Sequence, residues 1–204
     1  MGIFKTLHCD QRSDEWFKAR LGKITASNFD KVLTKTGKPS SQAGDLVNKA
    51  VAEKLLGYPE ETFESAAMIR GRELEPAALQ AAVFLTDIDF KEVGFLDSDL
   101  GYGCSPDGIA EETGIEIKCP LAHTHVSYLA EGTLPAKYLL QVQGSMLVTG
   151  FKEWHFFSYH PELPSFHLVI QRDEQLIEKL KDALLKSAKE VDEKYNYIAA
   201  HYQI

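Results

Sequence analysis

The stretch GCSPDGIAEETGIEIKCP, residues 103–120, sets Asp107 nine positions before Glu116, with Lys118 two positions further on. Isoleucines at 115 and 117 alternate with Glu116 and Lys118. That is strand spacing, in which side chains two apart share a face, so the glutamate and the lysine project together. A turn at EETG folds the preceding segment back, and Asp107 then meets them at one sheet edge. Two carboxylates at close range repel each other and are costly to desolvate unless a divalent cation lies between them. Oxygen donors of this kind suit Mg²⁺ or Mn²⁺. The ammonium then has two uses open to it: to orient or help deprotonate a water at the cation, or to offset charge developing on a phosphate in the transition state. The same letters also serve plainer ends, PDG as a type I turn and Glu116 with Lys118 as a solvated same-face pair.

The elements that must position these groups follow from local pattern. RSDEWFKARLGK starts with a capping serine, Ser13, carries acids in its first turn and closes on Gly22, which predicts a short helix. In KITASNFDKVL the hydroxyl of Thr25 or Ser27 is placed to cap a second helix with Phe29, Val32 and Leu33 on its apolar face. TKTGKPSSQAG is a polar, lysine-bearing loop, the best candidate for a mobile basic segment. A helix over 41–56 ends at Gly57, and another over 65–85 should bend or restart at Pro76, since proline clashes with the preceding turn. Strands follow over 92–119, then a helix in LPAKYLLQVQGSMLVTG, two more strands and a long C-terminal helix from about Asp173. This order predicts an α/β (α+β) domain with a mixed central β-sheet flanked by helices, one domain over residues 1–204.

Composition bounds the function. Apolar residues make up 44% and charged residues 25% of the 204, with no repeat or low-complexity tract. No apolar run approaches the roughly 20 residues of a membrane span, and the start has no signal-peptide core, so the expected location is cytoplasmic, with no membrane partner. The Met1-Gly2 opening has only Thr6 in favour of myristoylation and is set aside. Cys9, Cys104 and Cys119 are odd in number and lack C-x-x-C spacing, so they read as buried thiols rather than a disulfide or zinc framework. The five histidines at 123, 125, 155, 160 and 167 show no metal-ligand spacing. A formal net charge of −8 opposes a nucleic-acid partner unless positive charge is concentrated at one place.

Pro106-Asp107 followed by Glu116-Ile117-Lys118 has the form PD-(D/E)-x-K and resembles the nuclease superfamily named for that motif, whose core is restriction-endonuclease-like. More narrowly, EWFKARLGKITAS, the glycine and acid of RGRELEPAA, CSPDG, EIKCP and LLQVQGSMLVTG, in this order across residues 15–150, resemble the phage lambda exonuclease and YqaJ-type viral recombinase family, in particular a prophage alkaline exonuclease. The resemblance implies a single nuclease domain in which Asp107 and Glu116 ligate Mg²⁺ (Mn²⁺ as substitute) together with the Ile117 carbonyl, and Lys118 positions the attacking water. It implies that Glu75 is an additional acid on the preceding helix and Gln141 a catalytic-site glutamine. Arg20, with the hydroxyls of Ser27 and Ser105, would hold the 5′-phosphate of a DNA end, and Met68 would be an apolar wedge between terminal base pairs. The implied activity is 5′→3′ digestion of one strand of linear duplex DNA to mononucleotides. The implied assembly is a ring-shaped homotrimer around double-stranded DNA, partnered with a single-strand annealing protein. The rival expectations are an endonuclease of restriction or repair type and a non-catalytic DNA-binding loader that keeps the motif as a relic.

Overall fold

The computed structural model describes residues 4–60 and 64–203; the Met1-Gly2 opening lies outside them. Its strands are β1 Lys5–Leu7, β2 Ile24–Thr25, β3 Phe95–Asp97, β4 Tyr102–Cys104, β5 Gly108–Ile109, β6 Thr113–Lys118, β7 Glu153–Ser158 and β8 Phe166–Gln171. Its helices are α1 Asp14–Arg20, α2 Ala43–Leu56, α3 Ala66–Thr86, α4 Ala122–Glu131, α5 Leu139–Thr149 and α6 Glu174–Tyr202. The expected mixed β-sheet flanked by helices is present, divided into two four-stranded sheets ordered β1-β3-β4-β2 and β5-β6-β7-β8. Both are mixed: β2 runs parallel to β4, and β6 runs parallel to β7.

The two sheets share one wall, α5. Its residues Leu140 and Val148 join the core formed by Phe29, Leu96, Tyr102 and Leu180, while Val142 and Met146 pack with Trp154 and Ile177 under the other sheet. A helix apolar all round its circumference belongs in an interior, and a glycine lets it pack closely. A Cβ at Gly144 would lie 2.1 Å from a ring carbon of Phe29. On the opposite face of the β6–β7 pair, Ile115, Ile117 and Phe157 are covered by Ala78 and Ala82 of α3. Sheet faces buried on both sides account for the hydrophobic run of β7, EWHFFS, which hides the usual alternation.

Local expectations held unevenly. Ser13 caps α1, accepting from the Trp16 amide at 3.2 Å. The second helix is a six-residue 3-10 turn, Ala26–Lys31, without a side-chain cap, because the Thr25 hydroxyl is taken by Arg20 and Asn28. Residues 34–38 are a closed turn: the Thr34 amide donates to the Lys38 carbonyl at 2.7 Å, and Leu33 bridges Pro39, so the lysine-bearing loop is hydrogen-bonded to itself rather than merely polar chain. α3 runs unbroken through Pro76 instead of restarting, its far half anchored by buried Ala78 and Ala82. Of the three thiols, Cys104 and Cys119 are buried and Cys9 only half-buried. α6 packs internally through Leu176, Leu180 and Leu184, and its later turns meet Val47 and Val51 of α2 through Val191.

Candidate active site

β5 and β6 form the hairpin the sequence calls for, with Gly108 opposite Ile115. Asp107 stands immediately before β5, where strand pairing has ended, and its Oδ2 accepts from the Ile117 amide at 2.6 Å. In an extended strand the amide and carbonyl of one residue point to the same side, so the Ile117 carbonyl is offered to the Asp107 side as well. Glu116 is 2% exposed and points to the other face, toward α5. There it pairs with Lys118 Nζ and accepts from Gln141 Nε2 at 2.6 Å. The Lys118 ammonium also lies 5.1 Å from the ring centroid of Tyr138.

This packing sets the charge states. Burial, then the neighbouring Glu116, push the Asp107 carboxyl well above its usual range; Lys118 and the Ile117 amide pull the other way, and Glu75 adds a smaller upward push. Burial pulls the Lys118 ammonium down, but Glu116 and Asp107 outweigh it, and its pKa is raised. A buried acid beside a like charge is relieved either by taking up a proton or by a cation placed between the two carboxylates. Among the described residues no three His, Cys, Asp or Glu side chains converge on a metal position. The protein's share of a shell would therefore be the two carboxylates and the Ile117 carbonyl, all hard oxygens, with water and a substrate phosphate completing it. Such a set fits Mg²⁺, which keeps several waters and takes one or two carboxylates.

A second cluster begins two residues before Asp107. Ser105 Oγ accepts from Arg20 Nη1 and from Trp16 Nε1, each at 2.9 Å, and Trp16 Nε1 also reaches the Gly94 carbonyl at 3.0 Å. The guanidinium lies over the Trp16 ring, 3.9 Å from its centroid. One turn apart on α1, the two side chains form a cation–π stack. Arg20 Nη2 reaches Thr25 Oγ1 at 3.4 Å, and that hydroxyl meets Ser27 Oγ at 3.4 Å. Burial lowers the Arg20 pKa to about 10, so it stays charged at neutral pH. Trp16, Arg20, Thr25, Lys23 and Lys49 line a pocket of about 430 Å³. The planar guanidinium and the hydroxyls are donors suited to an anion, while Glu53 and Glu60 line the same pocket and Lys23 and Lys49 are paired with Asp97 and Glu53.

The cluster of Asp107, Glu116 and Lys118 opens on two further cavities. One, of about 310 Å³, is lined by Asp107, Glu75, Arg12 and Arg72; the other, of about 520 Å³, by Lys118, Tyr138, Met68 and the same two arginines. Glu75 is thus neither buried core nor a stray surface carboxylate; it faces the cavity beside Asp107 and pairs with Arg12 at 3.4 Å. Met68, 57% exposed at the rim, is not a core residue. Gln143, two positions beyond Gln141, faces away: it donates to the Gln171 carbonyl and accepts from the Asp173 amide, each at 2.9 Å.

Sequence reading brought Asp107, Glu116, Ile117, Lys118 and Gln141 together, and Arg20 with Ser105 and Ser27. It missed Trp16, whose spacing of four from Arg20 on a helix was the available signal. It also missed Gln11, whose Nε2 holds the Val93 and Pro106 carbonyls, each at 2.9 Å, and so fixes the backbone leading into Asp107. A glutamine in a loop carries no local signature of that. Among the histidines, His125 bonds Ser158 at 2.7 Å and the Pro164 carbonyl at 2.9 Å, and His155 meets His167 at 2.9 Å.

Comparison with known proteins gives the family and the fold. Residues 15–152 match the YqaJ-like viral recombinase domain. The crystal structure of LHK-Exo, an alkaline exonuclease from Laribacter hongkongensis, is 33% identical, with a TM-score of 0.85 over 94% of this chain and 98% of that one. The same protein in complex with dAMP is 34% identical, with a TM-score of 0.84. A phage related exonuclease from Haemophilus somnus 129PT shares the fold at 18% identity, with a TM-score of 0.68 over 86% of this chain and 96% of that one. No curated protein matches.

Proposed function

This chain belongs to the YqaJ-like viral recombinase family of nucleases, and from that premise we propose that it is a Mg²⁺-dependent exonuclease that digests the 5′-ended strand of linear duplex DNA to mononucleotides. The single observation that carries the reading is the adjacency of two sites. Asp107, locked to the Ile117 amide beside the Glu116–Lys118 pair, is two residues from Ser105, which is locked to Arg20.

Each protein group then has a stated task. Arg20, Ser105 and Ser27 grip the terminal 5′-phosphate, and the Trp16 ring keeps the guanidinium flat against Ser105. Asp107, Glu116 and the Ile117 carbonyl would hold the cation. When bound, Mg²⁺ would supply Lewis-acid charge to the scissile phosphate and make the attacking water more acidic. Lys118 stays an ammonium between its carboxylates, so it orients that water and offsets charge on the phosphate rather than removing a proton. Gln141 fixes the Glu116 carboxylate from α5. Glu75 serves the same centre from α3, and Met68 stands at the rim where the end base pairs would part. The product is a 3′ single strand, the substrate of a single-strand annealing protein. A homotrimeric ring would gather the basic groups along a channel and leave the acidic exterior to solvent, which reconciles the net charge of −8 with a DNA substrate.

The test is digestion of linear duplexes labelled at either end, beside a closed circle, in Mg²⁺ and in EDTA. Release of labelled mononucleotide from the 5′ end, in Mg²⁺ only and with the circle intact, is the expected result. Nicking of the circle would replace this reading with an endonuclease. DNA binding without cleavage in either Mg²⁺ or Mn²⁺ would replace it with a loader.

A further inference from the structure

Arg12 has no task in the scheme above, yet it lines both cavities beside Asp107 and Lys118. Its backbone is left-handed, φ 71°, a conformation uncommon for any side-chain-bearing residue and a sign of functional constraint when surrounding structure enforces it. Arg12 is the third residue of a turn closed by the Ser13 amide on the Asp10 carbonyl at 3.1 Å, and Gln11 beside it anchors that turn through its two carbonyl partners. The result is that Arg12 reaches Glu75 across 63 residues of sequence. The contact is loose. Nη2 to Oε2 is 3.4 Å, and the two side chains are 42% and 38% exposed, the regime in which an ion pair contributes little. The neighbouring Arg72 is held differently, by Glu64 through two contacts of 2.9 and 3.0 Å. Both arginines line the cavity containing Asp107 and the cavity containing Lys118.

Resting on the nuclease reading, we propose that Arg12 is a binding residue for a phosphodiester of the DNA backbone, held in reserve by Glu75 and released to the DNA when Glu75 turns to the divalent cation. A divalent cation held by Asp107, Glu116 and the Ile117 carbonyl would attract a third carboxylate more strongly than the half-solvated Arg12 guanidinium at 3.4 Å does. Losing its partner, the guanidinium is left over a groove already furnished with Arg72 and Lys118, where phosphate is the natural replacement and contact can be bidentate. Cation and DNA then bind with positive coupling through one glutamate, and the coupling is reciprocal.

The experiment uses the Lys118→Ala protein, so that DNA survives in Mg²⁺, and a short 5′-phosphorylated duplex followed by fluorescence anisotropy across a KCl series. In Mg²⁺, adding Arg12→Ala should weaken binding roughly tenfold and flatten the slope of log affinity against log salt by about 0.9, one phosphate contact. In EDTA the same change should alter neither. Glu75→Gln, which frees the guanidinium without a cation, should tighten binding in EDTA, and a further Arg12→Ala should erase that gain. Equal effects of Arg12→Ala with and without Mg²⁺, or none in either, would overturn the proposal and leave Arg12 a counter-ion for Glu75. Failure of the Lys118→Ala parent to bind the duplex in Mg²⁺ would overturn the nuclease reading itself, and the proposal with it.

Discussion

Asp107 is held by one hydrogen bond and opposed by most of the charge around it. Because its folded pKa is raised, its share of stability is fully present below the ordinary carboxyl value of 3.8 and is lost as pH rises through the folded value. Asp107→Asn keeps an oxygen for the Ile117 amide and removes the charge. In EDTA the variant should therefore melt higher than wild type by several degrees at alkaline pH, with the gap closing as pH falls. Cleavage should drop by orders of magnitude. A lower melting temperature in EDTA would mean the carboxylate stabilises the fold and would remove the argument for a cation there. Arg20 belongs to the same scale. If it grips the 5′-phosphate, wild type should prefer 5′-phosphorylated over 5′-hydroxyl ends, and Arg20→Ala should abolish the preference by slowing the phosphorylated substrate. Loss of a charge-assisted contact of about 1.5–3 kcal/mol corresponds to roughly ten- to hundredfold. Initial rates on the two ends decide it; equal slowing of both would return Arg20 to the role of a helix-terminal cation.

Among the elements, α5 shows what could be read from sequence and what could not. Its existence was legible in the largely apolar run LLQVQGSMLVT closed by Gly150; the role of its Gln141 came from the family resemblance alone. That it forms the common wall of two sheets was not, since periodicity reports how much of a helix is apolar and not which strands cover it. The same gap hid the division of the sheet into two. The PD…E-x-K spacing brought Asp107, Glu116 and Lys118 together because a hairpin is a local object; Trp16, Gln11 and Arg12 act across more than 60 residues, where no spacing rule applies. Gly144 is the element-scale test. Gly144→Ala sets a Cβ 2.1 Å from the wholly buried Phe29 ring. Overpacking of this kind costs about 1–3 kcal/mol, with a fall of roughly 2–4 °C in Tm for each kcal/mol at this chain length. Thermal melting checks it. An unchanged Tm would mean the 3-10 turn yields, and the phosphate preference should then weaken in its place, since Phe29 and Ser27 share that turn.

At the scale of the molecule, acid should unfold the protein partly through a histidine pair on β7 and β8, His155 standing in register with Ile115. Burial, and for His155 its neighbour His167, hold both imidazoles below 6.5. Depressed folded values mean their contribution is present above pH 6.5 and lost as pH falls through them. His167→Gln should shallow the decline of Tm below that pH while leaving alkaline Tm alone; an identical decline would place the acid sensitivity elsewhere. Finally, the loop that carries both Ser105 and Asp107 has a consequence for what leaves the enzyme. Two residues of extended chain span at most about 7 Å, on a segment pinned by Trp16, Arg20 and Gln11 at one end and by the Ile117 amide at the other. The terminal grip and the cutting centre therefore cannot drift apart. On the proposed reading that loop is a ruler one nucleotide long, and the size of the product is written into the backbone rather than chosen at each turnover.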